Sequence, residues 1–233
     1  MDLLRWNYSS VIDELVVEDD TKKLFHYLLP AFYRLIVWLE ETFTRFCVII
    51  RSHGKDIVNI FKAVKVFLDG QHPEFKPKGL IEFNDEIYRI KRSTDAGNEY
   101  NLYDSAGNVL ATGPHEINNF FQSSNGIIGI EDDFKFWMEH GYDYKAGKPL
   151  FVDFKDDCYK QIIFDDNTRF RPREKTNVLE IVELLLENYY RSIPYEEMIL
   201  YRDKLFFQVD LLKSISDQRY FINCVKNSLE KIK

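Results

Sequence analysis

Apolar residues along this chain recur with two different periods, and the changes from one to the other divide it into alternating helices and strands. Over residues 22–43 the apolar positions return at helical spacing. The run FCVII at 46–50 is apolar throughout, which predicts a helix followed by a buried strand. Residues 55–68 (KDIVNIFKAVKVFL) again show helical spacing, and Gly70, Pro73, Pro77 and Gly79 end that helix. The pattern then becomes an alternation. EIYRIKRS and NEYNLYD, separated by Thr94, Asp95, Ala96 and Gly97, interleave polar with aromatic and branched residues, and SAGN turns into VLAT. This predicts a small antiparallel β-meander inserted at 79–125.

Beyond it come GIIGI, a helical EDDFKFWMEHG, the short runs PLFVD and QIIF, a long helix over 177–190 (NVLEIVELLLENYY), a strand in KLFFQVD and a closing helix from about Asp217. Strands that are apolar on both faces and alternate with helices predict an α/β fold. The expected architecture is a Rossmann-like parallel sheet with helices on both faces and the β insert, all within one domain at 1–233.

Composition narrows the function. With 233 residues, 45% of them hydrophobic, the chain can bury a substantial core. A net charge of −7 disfavours a nucleic-acid partner, because a polyanionic backbone is repelled unless basic residues cluster. Cys47, Cys158 and Cys224 are odd in number and widely spaced, as reduced thiols in a cytoplasmic protein are. Acidic residues interrupt the N-terminus where a signal peptide needs an apolar stretch. The segment LFHYLLPAFYRLIVWLEETF is broken by His26, Pro30, Arg34 and Glu40, so it predicts an amphipathic helix and no membrane partner. No HExxH, no paired cysteines, no P-loop and no dinucleotide fingerprint occur. Arg169, Arg171, Arg173 and Lys175 form a local basic run expected in a solvated loop.

Candidate chemistry gathers at strand ends. Asp165 and Asp166 close the run IIF, and a strand continuing through both would drive one carboxylate under a covering helix, so it is expected to stop near Phe164. Open α/β sheets form their ligand crevice at such carboxyl ends. Two carboxylates about 5 Å apart repel by roughly 3 kcal/mol at an effective dielectric of 20, so a hard cation such as Mg²⁺ suits the pair. A solvated strand exit is the alternative. Ser52 follows CVII just before a helix, either as an anion-binding hydroxyl or as a capping residue. Lys148 precedes PLFV, as a site cation or as part of a surface turn.

In this order, CVIIRS, GKPL and IIFDD together resemble the haloacid dehalogenase-like superfamily of phosphohydrolases. The resemblance implies a Mg²⁺-dependent phosphohydrolase acting on a phosphorylated small molecule or phosphoprotein. It assigns Ser52 to a hydrogen bond with the transferring phosphoryl group and Lys148 to neutralising phosphate and nucleophile. Asp165 would ligate Mg²⁺, and Asp166 would do so through water. The family's first motif, an apolar strand ending D-x-D-x-[TV], has no counterpart here. In ELVVEDDTK, Glu18 and Asp20 would have to serve as nucleophile and acid/base, with Thr21 one place early. An acidic exit into the following helix, with Asp19, Asp20 or Thr21 as its cap, is the alternative. Without the carboxylate that attacks phosphorus, the site binds phosphate and metal but does not turn over by that route. A phosphohydrolase given as a shortened chain, with its first motif upstream, is the first expectation, and a catalytically inactive binding or scaffold protein on the same fold is the second.

The resemblance also implies that the missing strand lies between CVII and IIF. Those two strands would then face each other with unpaired backbone groups, favouring association through an incomplete sheet. VIDELVV at 11–17 is the best internal filler, although Asp13 and Glu14 suit a doubly buried strand poorly.

Overall fold

A computed structural model describes residues 2–93, 99–170, 175–186 and 189–231. The expected turn at Thr94 to Gly97 lies outside them, as do Arg171 and Arg173 of the basic run. The fold is mixed α/β, with its strands distributed over several small sheets. No described helix is long and apolar enough to cross a membrane.

The N-terminal segment carries a short hairpin of β1 (Val16–Glu18) and β2 (Leu24–His26), paired antiparallel. Helix α1 (Pro30–Thr42) begins later than the apolar spacing predicts. The cause is Pro30, which forces Leu29 to an extended ψ of 132° and itself suits the first helical position. VIDELVV does not enter the main sheet. Its Asp13–Leu15 form a 3-10 turn and its last two valines belong to the hairpin, which leaves the polar Asp13 and Glu14 in solvent.

The largest sheet has five strands. Strand β3 (Cys47–Ser52) pairs parallel with β7 (Gly126–Glu131), and β7 pairs parallel with β4 (Phe83–Ser93). The meander continues antiparallel through β5 (Glu99–Tyr103) and β6 (Val109–Thr112). Helix α2 (Ile57–Leu68) connects β3 to the meander, and its buried Phe61, Val64 and Phe67 recur at helical spacing. Phe61 lies against Gly129 so closely that an added Cβ would come within 2.4 Å of its ring. Only glycine lets helix and sheet approach this far.

A second helix, α3 (Gly113–Ser123), follows the meander inside the stretch expected to hold only strands. Pro114 occupies its first turn, and the Glu116 carboxylate accepts the Thr112 N–H at 2.8 Å, satisfying a donor at the helix start. The two helical layers lie on opposite faces. Val48, Ile50 and Ile127 pack into the core of α1, α2 and α4 (Tyr220–Lys231), whereas Ile49, Ile128 and Ile130 pack with Ile117 and Phe121 of α3. Each wholly buried Ile or Phe in these layers contributes about 1.5–3 kcal/mol.

The described residues of the expected helix at 177–190 are not α-helical. They form β10 (Leu179–Leu184), which pairs parallel with β8 (Lys148–Val152), and then β11 (Tyr190–Ser192), which pairs antiparallel with β10. The decisive contacts are distant in sequence. Glu180 is 2% exposed, ion-pairs with Arg92 of β4 and accepts the Tyr100 hydroxyl at 2.8 Å. These partners are met in the strand geometry, and tertiary pairing overrides the helix-forming composition of Leu and Glu. Finally β9 (Ile163–Asp165) pairs parallel with β12 (Phe206–Gln208) as a separate two-stranded sheet. The strands therefore do not join into one continuous parallel sheet.

Candidate functional site

The carboxyl end of β9 and the start of β8 meet through one buried ion pair. Lys148 Nζ donates to Asp165 Oδ2 at 2.8 Å, with the side chains 11% and 8% exposed. Lysine and aspartate are almost never buried this deeply without a partner. The backbone sets Lys148 in place. Its N–H donates to Val178 O at 2.6 Å, and a Cβ on the preceding Gly147 would lie 2.6 Å from that same oxygen. Glycine there is required by the close passage of the two chains.

Asp165 is the last residue of β9, one position beyond the expected end of the strand. Its charge is tolerated because Lys148 takes one carboxylate oxygen while Oδ1 accepts the Asn167 N–H at 2.8 Å. Its carbonyl accepts the hydroxyl of the wholly buried Thr168 at 3.1 Å. Asp166 is half-buried, and its Oδ1 accepts from Asn167 Nδ2 at 3.1 Å.

Ser52 is engaged elsewhere. Its hydroxyl donates to Asp56 Oδ1 at 2.5 Å and accepts the Gly54 N–H at 3.0 Å, which organises the entry to α2. Ser52 does not cap α2, whose N-cap residue is Asp56 and carries no side-chain cap bond. The neighbours of Ser52 provide what composition did not single out. Arg51 ion-pairs with the buried Asp132, donating from Nε to Oδ2 at 3.0 Å and from Nη1 to Pro149 O at 2.7 Å. It therefore ties the ends of β3 and β7 to the start of β8. His53 stacks on Trp137, with ring centroids 5.1 Å apart and planes 23° from parallel. Burial holds the pKa of His53 below its ordinary value, with opposing influences from Asp132 and Asp165 and supporting ones from Lys148 and Arg51. Three strand ends thus contribute to one neighbourhood of Arg51, His53, Asp132, Lys148 and Asp165. The signal for the additional members lay in their positions, R-S-H at the end of β3 and Asp132 directly after β7.

The acidic segment near the N-terminus has other contacts. Glu18 pairs with Lys22 at 3.0 Å on the exposed hairpin. Asp19 accepts N–H groups of Thr21 and Lys23 and the Thr21 hydroxyl. The Lys23 N–H comes first among the causes that keep its carboxyl below the usual range. These residues close the β1–β2 hairpin and cap no helix, because α1 starts at Pro30 with Leu29 as its N-cap residue.

The donor set suits Mg²⁺ in kind. A carboxylate has about four lone-pair sites, and protein hydrogen bonds take two on Asp165, leaving oxygen sites on both aspartates. Mg²⁺ is commonly held by one or two carboxylates with waters and a substrate phosphate completing its shell. Among the described residues no group of three or more His, Cys, Asp or Glu side chains converges to hold a metal alone. No family model, curated protein or solved structure matches the chain.

Proposed function

We propose that the chain is a haloacid dehalogenase-like, Rossmann-like protein that binds a phosphorylated ligand together with Mg²⁺ and does not hydrolyse it unaided. The observation that supports this reading most is the buried Lys148–Asp165 pair at 2.8 Å, which joins two of the residues the sequence resemblance assigns to the site. Asp165 and Asp166 would hold Mg²⁺, which would supply positive charge against the phosphate. Lys148 donates to an anionic oxygen, Arg51 fixes the strand ends, and His53 and Trp137 wall the mouth against water. Among the described residues Asp132 and Asp165 are ion-paired, Asp166 is assigned to Mg²⁺, and Glu18 belongs to the exposed hairpin. No carboxylate is therefore assigned to attack phosphorus.

Thermal unfolding with millimolar Mg²⁺ and inorganic phosphate tests the reading. Ligand at a hundred times its dissociation constant adds about 2.7 kcal/mol. For a chain of this size that is roughly 5–10 °C. Asp165→Asn is expected to remove most of the shift, and an equal shift in variant and parent refutes the site. Hydrolysis of p-nitrophenyl phosphate should be no faster than in the Asp165→Ala, Asp166→Ala double variant. Metal-dependent turnover lost in that variant would instead favour an active phosphohydrolase.

A further inference from the structure

Two histidines distant in sequence meet in one buried stack. His26 closes β2 and His72 follows α2, and their rings lie 5.5 Å apart with planes 12° from parallel. Both are buried, and among the described residues His26 Nδ1 and His72 Nε2 have no hydrogen-bond partner. The buried Trp6 sets its edge against both rings, at 4.9 and 5.5 Å, and Tyr8 does the same at 5.9 and 6.0 Å. Tyr33 of α1 lies 4.7 Å from the His72 ring. The N-terminal segment around Trp6 and Tyr8 is thus docked on the two imidazoles.

His72 carries its proton on Nε2, because its Nδ1 accepts the N–H groups of Glu74 and Phe75 at 3.1 Å each. Those two bonds fold residues 72–75 into a turn. A second proton has only Nδ1 to go to, and there it turns the acceptor of two N–H bonds into a further donor. The turn cannot keep its bonds around a charged ring. The same turn holds the N-terminal segment, since Glu74 accepts the Tyr8 hydroxyl and an N–H of Arg34 at 3.3 Å. The backbone of the segment is tied to β2 through a bridge from Arg5 to Phe25 and the Trp6 N–H to Leu24 O at 2.8 Å.

Burial is the largest influence on both rings and holds both below their ordinary pKa. Glu74 opposes it at His26, whereas His26 and Lys76 reinforce it at His72. Among the other groups around the stack, Arg34 of α1 is paired with Glu74, and Phe67 of α2 carries no charge. Tyr8 and Tyr33 stay neutral, because burial pushes both hydroxyls up.

We propose that His72, with His26 stacked on it, is an acid-operated latch on the N-terminal segment. A proton taken from solvent by His72 Nδ1 breaks the 72–75 turn, withdraws Glu74 from Tyr8 and frees Trp6 from the core. The closed arrangement disfavours a proton on either ring and the open one admits both, so release draws on up to two protons. A folded-state pKa held below 6.5 gives stability that is present above 6.5 and lost as pH falls. The latch is therefore closed at neutral pH and opens in acid. This inference stands apart from the phosphate reading and is tested without Mg²⁺ or phosphate.

The test is fluorine NMR of the full chain carrying 5-fluorotryptophan, with the Trp6 signal assigned through Trp6→Phe. The shift of each signal between H₂O and D₂O reports how far that indole meets solvent. Between pH 7 and pH 4 the Trp6 signal should gain the full isotope shift of an exposed indole, while those of Trp38 and Trp137 keep the shifts they have at pH 7. His72→Asn retains an acceptor for the N–H two residues on, as asparagine does in turns, and gains no charge in acid. In that variant Trp6 should stay shielded down to pH 4. Glu74 is still present there, so release caused by Glu74 protonation would survive the substitution. If His72→Asn does not fold, the ring nitrogen signals of His72 in the parent decide the matter, because their midpoint should coincide with that of Trp6. The proposal is overturned by a Trp6 that stays shielded in the parent, by all three indoles becoming exposed together, by a transition that survives in His72→Asn, or by midpoints that do not coincide.

Discussion

Replacing Lys148 with Met separates what the buried pair does for stability from what it does for a ligand. At 2.8 Å and an effective dielectric of 20, the attraction between Lys148 and Asp165 is about 6 kcal/mol. Desolvating two ions costs several kcal/mol each, so the intact pair is close to neutral for stability. Removing one partner is different. Lys148→Met leaves the Asp165 carboxylate, 8% exposed, with the Asn167 N–H as the remaining partner of its side chain among the described residues. Breaking a buried pair costs about 3–5 kcal/mol, and that surviving bond argues for the lower end. In a chain of this size the melting temperature should fall by roughly 6–12 °C. Urea unfolding followed by tryptophan fluorescence measures the loss, with Trp137 stacked beside the site as a local reporter. The double variant Lys148→Met, Asp165→Leu should recover all but about 1–2 kcal/mol, because no unpaired charge remains and only the Asn167 N–H loses its acceptor. That recovered protein should still show no stabilisation by Mg²⁺ and phosphate. A loss below about 1 kcal/mol in Lys148→Met would mean that water reaches the pair, and the reasoning from burial would fail.

Three further outcomes follow from other contacts. His72 is wholly buried, with its Nδ1 accepting N–H groups from Glu74 and Phe75 at 3.1 Å, and burial, with help from His26 and Lys76, lowers its pKa to about 4. A lowered folded pKa gives stability that is present above the unfolded value near 6.5 and lost as pH falls toward 4. The urea midpoint should therefore drop more between pH 7 and 4.5 in the parent than in His72→Leu, with up to about 3 kcal/mol at stake; equal slopes would contradict this. Glu180→Leu should cost about 3–5 kcal/mol by stranding the Arg92 guanidinium, which is 4% exposed. Adding Arg92→Leu and Tyr100→Phe should restore most of that loss, and additive losses across the three changes would show that no charge was stranded. Gly147→Ala should destabilise by about 1–3 kcal/mol, since its Cβ meets the Val178 carbonyl oxygen at 2.6 Å; an unchanged denaturant midpoint would show that the strands can separate there.

Elements whose information is local were readable from the chain. β3, β7 and β8 announce themselves as short apolar runs, and the Lys148–Asp165 contact joins two residues singled out from their positions at strand ends. The errors have distant causes. LEIVELLL carries strong helix formers, and what makes it a strand is the pairing of Glu180 with Arg92 and Tyr100, far upstream. Gly113-Pro114 reads locally as a turn, yet the proline opens α3. Ser52 lay between two readings, and Asp56, four residues on, decided its contacts. Arg51 and Asp132 were invisible as a pair because parallel pairing of β3 and β7 brings their ends together across 81 positions.

The thiol of Cys47 gives the sheet edge a chemical clock. Burial pushes its pKa up to about 12, whereas Cys158 is exposed. Alkylation proceeds through the thiolate, so at neutral pH Cys47 reacts roughly three orders of magnitude more slowly than an ordinary thiol of pKa about 8.5. The time course of alkylation by iodoacetamide should therefore show Cys158 modified first, with Cys224, whose pKa burial also pushes up, and Cys47 following more slowly. The rate at Cys47 then reports how far its thiol is removed from water at the β3 edge. Each modification is captured irreversibly as a carbamidomethyl group that a peptide mass map can count, without labels or substitutions added to the chain.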